Sequence, residues 1–462
     1  MSCISREYRA SIFPKEGLVD GSAAINIRLA LWNDCSLQGL LQCPSLMRGA
    51  RLLRVLTAAV KSPLVVFLVA LIARVWVLRQ LLPAKAWPDF YEHNEFARIA
   101  WAIVSGFGYS SPWANTPLAP TAVEPPVYSY LLAEIFKLTG AYSYPSLWIA
   151  VGLNAVLSAV TAVIILHIGK RDFCALAGIL AAWVWSCWLY EAAVSVRLWE
   201  SSLSALLLVT ALFLLPHVAE SLRWPRWVIF GGLGGVAALT NTTLLSLFPF
   251  FWLWLWLACR RRGRSPAKLL LASITVCILT LLPWTIRNYE TFHRLIPMRD
   301  NFGLELWIGN HEGAMQVHQF PRDFPLIDPT EYTRLGELPF MEAKGQAGLQ
   351  FIAKHPAEFL WLSARRSFKF WTDPETFVWL PLSLMAWLGA AAALSRKGLD
   401  ALPYSLVLLV FPLIYYITHT FSSYRHPIEP AMFLLAAYAL VTALEKLNAQ
   451  LLHKRQGANA GA

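Results

Sequence analysis

Residues 62–82 read SPLVVFLVALIARVWVLRQLL, and residues 87–98 shortly after read WPDFYEHNEFAR. The first run has the roughly 20 mostly apolar residues that cross a bilayer as one helix. Arg74 lies deep enough in it to need a partner inside a bundle, whereas Arg79 is placed to snorkel. The second run sets three carboxylates, Asp89, Glu92 and Glu95, directly beside the end of that span. If a helix begins near Pro88, these acids fall at i, i+3 spacings and share a face.

The rest of the chain agrees with a membrane reading. Of 462 residues, 57% are hydrophobic and only 15% charged, and the mean hydropathy is +0.48. Soluble domains carry about 25% charged residues, so a water-facing surface cannot be built from this composition. Disorder is excluded by the same balance and by 13% aromatic residues. The net charge of +11 does not point to nucleic acid, because the basic residues cluster between apolar runs. These clusters include Lys170-Arg171, Arg223 with Arg226, Arg260–Arg264, Arg396-Lys397 and Lys454-Arg455.

Apolar runs at 62–82, 145–168, 174–191, 199–217, 227–241, 243–259, 267–285, 376–394, 401–420 and 427–446 are the expected spans. Placing the basic clusters on the cytoplasmic side predicts an all-α polytopic protein of about ten crossings with both termini inside. Residues 83–144 and 286–375 then form two outer-face loops, and 447–462 a cytoplasmic tail. Within the loops, 128–137 and 357–371 read as interfacial amphipathic helices. Residues 1–60 read as an N-terminal cytoplasmic segment, either a poorly ordered tail or the product of a start that belongs at Met47. Seven cysteines show no CxxC spacing, and four of them, Cys174, Cys187, Cys259 and Cys277, sit in or beside spans as small hydrophobes. Six tryptophans near span ends fit an aromatic belt; Trp307 lies instead among polar loop residues.

Several short motifs follow one another along the chain. They are GFGYSSP (106–112), EPPVY (124–128), GKRDF (169–173), VRLWE (196–200), PWTIRNY (283–289), RDNFGLELWIGN (299–310) and YRHPIEP (424–430). The ordered set, from about 62 to 446, resembles the GT-C membrane glycosyltransferases. The likeness is to bacterial members of the family 39-like group that contains protein O-mannosyltransferases and lipid A aminoarabinose transferases. The resemblance implies transfer of a monosaccharide from a polyprenyl-phosphate carrier to an acceptor hydroxyl on the extracytoplasmic face of a bacterial inner membrane, with an outer-loop carboxylate as general base. The acceptor, whether protein, lipid or glycan, is left open. The family pattern puts an acid just before the Ala97-Arg98-Ile99-Ala100 run, which is Glu95 here. Asp89 competes, because many relatives use an Asp early in this loop, and Glu92 is the third candidate. A contiguous Asp-Glu pair, found in better-known members, is absent from this loop, and no Asp-x-Asp motif occurs.

Such a transfer needs a base for the acceptor and cations for the departing phosphate, and the planar fork of arginine suits phosphate. Arg197, Arg287 and Arg425 sit at the outer ends of expected spans and are the candidate phosphate contacts, with interfacial snorkelling the alternative for Arg287. Glu200, three residues after Arg197, reads as its ion-pair partner or as the group that orients it. Asn241 reads as a turn residue in preference to a sugar contact. Asn301, Glu305, Trp307 and Asn310, with Tyr424, His426 and Glu429, are the candidate sugar or acceptor contacts: amides and acids around an aromatic face. The histidines show no HExxH spacing, so the sequence does not support a metal site, and whether a divalent cation assists is left open. A flippase for a lipid-linked glycan is the competing reading, and it would call for internal repeats and midplane ionisable residues. A non-catalytic scaffold would need neither carboxylates nor arginines at the interface.

Overall fold

The computed structural model describes residues 57–81, 94–113, 115–314, 328–373 and 379–460. The helical unit that carries the expected spans begins at Lys61. The expected N-terminal segment lies outside the described residues except for 57–60.

The described chain is helical, with one isolated antiparallel bridge between Ser110 and Pro120. Helix α1 spans Pro63–Leu81, α2 Glu95–Val104, α3 Pro126–Thr139 and α4 Tyr144–Ile168. Helices α5 (Ala175–Cys187) and α6 (Leu189–Ser195) follow, then α7 (Ser201–Glu220) and α8 (Trp224–Thr240). Next come α9 (Thr242–Leu245), α10 (Phe248–Arg261), α11 (Ala267–Phe292) and α12 (Phe302–Gly309). Helices α13 (Pro329–Leu335), α14 (Glu337–Lys354) and α15 (Pro356–Thr372) precede α16 (Trp379–Lys397). The chain ends through α17 (Leu402–Val410), α18 (Leu413–Ile417), a 3-10 segment (Ser422–Ile428) and α19 (Glu429–Ala460).

Seven helical stretches are long and apolar enough to cross a membrane, or eight if the bent pair α5–α6 is one span. The expected count of about ten is not reached by this measure. Helix α8, with 17 residues, is at the short end of the lengths that cross a bilayer and is not among the seven. The expected spans at 376–394 and 401–420 are one run, Trp379–Ile417, interrupted by the 3-10 turn Gly398–Ala401, where Gly398 has φ 56°. Two loop boundaries also move. Helix α11 continues past residue 286 to Phe292, and α19 carries helix through the expected tail to Ala460.

Between helices in lipid, association relies on close packing rather than on water expulsion, so small residues mark the contacts. Gly231 and Gly235, one turn apart on α8, face α11: a Cβ on Gly231 would lie 2.0 Å from the Ser273 carbonyl, and one on Gly235 2.4 Å from Thr280. Arg74 finds the partners its depth demands. Its guanidinium donates to Ser158 Oγ (2.7 Å) and to the carbonyls of Trp185 (3.1 Å) and Ser186 (3.2 Å). Those carbonyls end α5, where the chain bends by 63° into α6 and the helix leaves its last acceptors unpaired.

Helix α7 gives the bundle two chemically different ends. At its C-terminus, Glu220 and His217 carbonyls accept from Arg264 (2.9 Å) and Arg226 (2.9 Å), and Phe213 accepts from Arg171 (2.8 Å). Three of the basic clusters thus meet at one end. The N-terminal end, about 30 Å away along 20 residues, lies under the polar segments between α1 and α4 and between α11 and α16.

Candidate active site

A cavity of about 580 Å³ opens at the N-terminal end of α7. Both expected interfacial helices form, as α3 and α15, and α2 and α3 pack into a second apolar cluster that shapes one side. Phe96 is the centre of that packing, edge-on to Tyr128 (5.3 Å) and to Trp199 (5.1 Å). Asn94 caps α2 by accepting from the Ala97 amide (2.8 Å), and its side-chain amide donates to the Leu198 carbonyl (2.7 Å). This clamp fixes the first residue of α2, Glu95, beside the segment that carries Glu200.

Four carboxylates line the cavity: Glu95, Glu124, Glu200 and Glu305. Arg299 is the arginine among them and His419 the histidine. Arg299 bridges two of the acids, 3.3 Å from Glu124 and 3.7 Å from Glu305, and its Nε donates to the Val123 carbonyl (2.9 Å). Glu305 takes two further contacts: the Asn301 amide (2.7 Å) and, through its other oxygen, His419 Nδ1 (3.0 Å), whose Nε2 meets the Tyr424 hydroxyl (3.1 Å). Glu95 accepts from the Trp113 indole N–H (2.8 Å). Glu200 accepts from the Asn241 amide (3.2 Å), and its second oxygen has no hydrogen-bond partner among the described residues.

The electrostatics separate these acids. Burial pushes Glu95 up, and the Trp113 hydrogen bond pulls it partly back. Burial drives Glu124 well above the ordinary range against the pull of Arg299, with Glu95 and Glu200 adding to the rise. Burial also raises Glu200, to about 7. For Glu305 burial acts upward too, but His419 and Arg299 outweigh it and hold the group low. Burial works against the charge of Arg299, yet Glu124 and Glu305 reverse it and keep the guanidinium firmly protonated. One wall therefore holds Arg299 and His419 among carboxylates, while Glu95 and Glu200 stand apart as raised carboxyls, Glu200 to about 7.

Of the residues singled out in the sequence, Glu95, Glu200, Asn241, Asn301, Glu305 and Tyr424 meet in this cavity. Asp89 and Glu92 lie outside the described residues. The other candidates serve elsewhere. Arg425 is fully buried, paired with Glu429 (3.0 Å), donating to the Phe370 carbonyl and lying 4.0 Å over the Trp379 ring. His426 and Glu429 are buried with it. Arg287 spends its guanidinium on the carbonyls of Thr121 (2.7 Å) and Tyr109 (2.8 Å), stapling the first polar segment to α11. Arg197 is exposed, and the expected pairing with Glu200 is replaced by Asn241, which also caps α9 through the Thr243 amide (3.1 Å). Trp307 stacks on His311 (4.8 Å) under Lys344 (4.5 Å). Buried Asn310 ties α12 to the Ile417 carbonyl (2.8 Å) and to Arg366 (3.0 Å).

Glu124, Arg299 and His419 are site residues that sequence reasoning did not assign. Two of them sit inside the motifs EPPVY and RDNFGLELWIGN, where Glu124 directly precedes Pro125 and Arg299 opens the motif before Asp300. His419 has no motif to mark it.

No protein-family model and no curated protein matches the chain by sequence. Among solved structures it resembles the apo oligosaccharyltransferase of Archaeoglobus fulgidus, with TM-score 0.52, 16% identity, and coverage of 85% of this chain and 52% of that one. The same enzyme tethered to an acceptor peptide containing the NVT sequon gives TM-score 0.50 and 15% identity over 84% of this chain and 50% of that one. ArnT from Cupriavidus metallidurans, bound to undecaprenyl phosphate, gives TM-score 0.42 and 15% identity over 80% and 59%. The chain spans about half the length of the oligosaccharyltransferase it matches. The likeness is one of fold: this is a multi-pass membrane chain with a helical arrangement similar to that of the oligosaccharyltransferase over the matched part.

Proposed function

We propose that the chain is a membrane glycosyltransferase that moves a monosaccharide from a polyprenyl-phosphate carrier to an acceptor hydroxyl. The observation that carries this reading is Glu95 at the cavity wall, oriented by Trp113 and raised by burial, opposite an arginine held in a carboxylate cluster. Glu95 accepts the acceptor's proton as the new glycosidic bond forms and the carrier phosphate departs. Arg299 is the cavity's cation for that phosphate, with Arg197 a further contact; Arg425 and Arg287 are committed to holding the fold. Asn301, Glu305 and Tyr424 contact the sugar or acceptor. The GT-C fold of two oligosaccharyltransferase structures supports a transferase over a flippase, and so does the concentration of acids at one end of the bundle rather than at its midplane.

The basic clusters at the opposite end of α7 support an extracytoplasmic site in a bacterial inner membrane. In a background without native cysteines, labelling from outside should reach a cysteine at Glu312 and not one at Gly263; the reverse pattern excludes this orientation.

Incorporation of labelled sugar from a synthetic polyprenyl-phosphate donor tests the chemistry. Glu95→Gln should lose about 10²–10⁴-fold in turnover, the usual worth of a general base, while still binding donor. If Glu95→Gln stays active and Glu200→Gln is dead, the base is Glu200. Activity in both variants removes the transferase reading.

A further inference from the structure

Behind the cavity, beneath Tyr424 and Pro427, three side chains from three elements converge: Glu191 of α6, His426 of the 3-10 segment and Glu429 at the start of α19. All three are fully buried, and one donor atom from each lies within 4.8 Å of the others. His426 Nδ1 contacts both carboxylates, Glu191 at 2.7 Å and Glu429 at 3.2 Å. A ring nitrogen carries at most one hydrogen. Its hydrogen-bond geometry is met with Glu429 only. Glu191 Oε2 is left with the ion contact to His426, and Glu191 Oε1 has no hydrogen-bond partner among the described residues. Two fully buried carboxylates thus share one imidazole nitrogen, and a further positive charge fits between these three groups.

We propose that Glu191, His426 and Glu429 form a buried site for one divalent transition-metal ion of the zinc class. Imidazole nitrogen and carboxylate oxygen are the donors such ions take, at bonds of about 2.0–2.2 Å, and the cluster is compact enough to reach them. The second Glu191 oxygen supplies a fourth ligand. Neutral His426 adds no charge, Glu191 and Glu429 face the ion, and Glu429 keeps its other oxygen on Arg425, which also lies over the Trp379 ring. The ion would pin the bent end of α5–α6 to the segment that carries Tyr424 into the cavity. This site is separate from the carboxylates around Arg299 and does not depend on the transferase reading.

The test uses the full chain in detergent, loaded with Zn²⁺, dialysed, and measured for metal content and thermal stability. About one zinc per chain is expected, with a lower melting temperature after chelation. His426→Gln should lose the metal, and Glu191→Asp, which keeps charge but shortens reach, should weaken binding about tenfold or more. Glu95→Gln and Glu305→Gln should retain it. No zinc retained by the wild type overturns the proposal, as does full retention in Glu191→Asp where His426→Gln does not fold. Loss of zinc in Glu95→Gln or Glu305→Gln moves the ion to the cavity and equally overturns it.

Discussion

The indole N–H of Trp113 donates to Glu95 Oε1 at 2.8 Å, and the same ring meets Tyr332 edge-on at 5.3 Å. Tyr332 in turn donates to Glu337 (3.0 Å), which accepts from the Ala122 amide (2.6 Å). The orientation of Glu95 is thus set by a chain of contacts that joins both polar segments.

Trp113→Phe keeps the ring and removes the donor. Because the bond favours ionised Glu95, its loss moves the carboxylate further up. A base must be deprotonated to work, so the acidic limb of the activity–pH profile should shift to higher pH. Turnover at neutral pH should fall about tenfold, in line with roughly 1.5 kcal/mol for a hydrogen bond to a charged group. An unmoved limb would show that Glu95 does not set it.

Arg299→Lys retains a positive charge but not the planar fork, whose Nη2 lies near both Glu124 and Glu305 while Nε donates to the Val123 carbonyl. A single ammonium cannot hold the acids and the Val123 carbonyl in that geometry. We expect a folded protein that has lost most of its transfer activity, with weaker donor binding measured separately. Donor affinity equal to wild type would assign the phosphate elsewhere, and Arg197→Ala would then be the next variant to measure.

The membrane spans were legible because lipid imposes one rule, a long apolar helix, that composition reports directly. Their number was less so: the turn at Gly398 is marked in sequence by Arg396-Lys397 and Asp400 and fell between two expected spans, but the 17-residue α8 leaves no compositional trace. Glu95 was singled out by the resemblance, as the acid just before the Ala97–Ala100 run, and it lines the cavity. The roles of the arginines were not legible. Arg287 and Arg425 stand at span ends, as phosphate ligands would, and only the tertiary arrangement reveals that backbone carbonyls and Glu429 already occupy them. Arg299 and His419 are brought together by residues 120 positions apart in sequence, a distance that no spacing rule covers.

Asp300 gives a pH dependence of stability. Both its oxygens are buried without a hydrogen-bond partner among the described residues. Burial first, and Glu337 second, raise it from 3.8 to about 8. A carboxyl raised in the folded state favours folding when protonated, so its contribution is complete below about 4 and is lost as pH rises to about 8. The melting temperature should therefore decline across that window. Asp300→Asn, neutral throughout, should flatten the decline and melt higher at pH 8. A wild-type slope that survives in Asp300→Asn would trace it to another group.

Gly309 closes α12 against the turn that carries His419. A Cβ there would lie 1.7 Å from the Thr418 carbonyl and 2.6 Å from Arg366 Nη1. Neither neighbour is free to give way: Arg366 also donates to the Ile417 carbonyl (2.9 Å) and to Asn310 (3.0 Å). Gly309→Ala must push α12 off the 417–418 backbone, at about 1–3 kcal/mol for an overpacked contact. Because His419 follows Thr418 and contacts Glu305, the displacement also loosens the fixed side of the cavity. The expected result is a lower melting temperature together with reduced turnover. Gly232→Ala is the control, since its Cβ meets only Val276 at 3.9 Å and alanine is the better helix former. Equal stability of the two variants would mean that α12 and the Thr418 turn do not approach this closely.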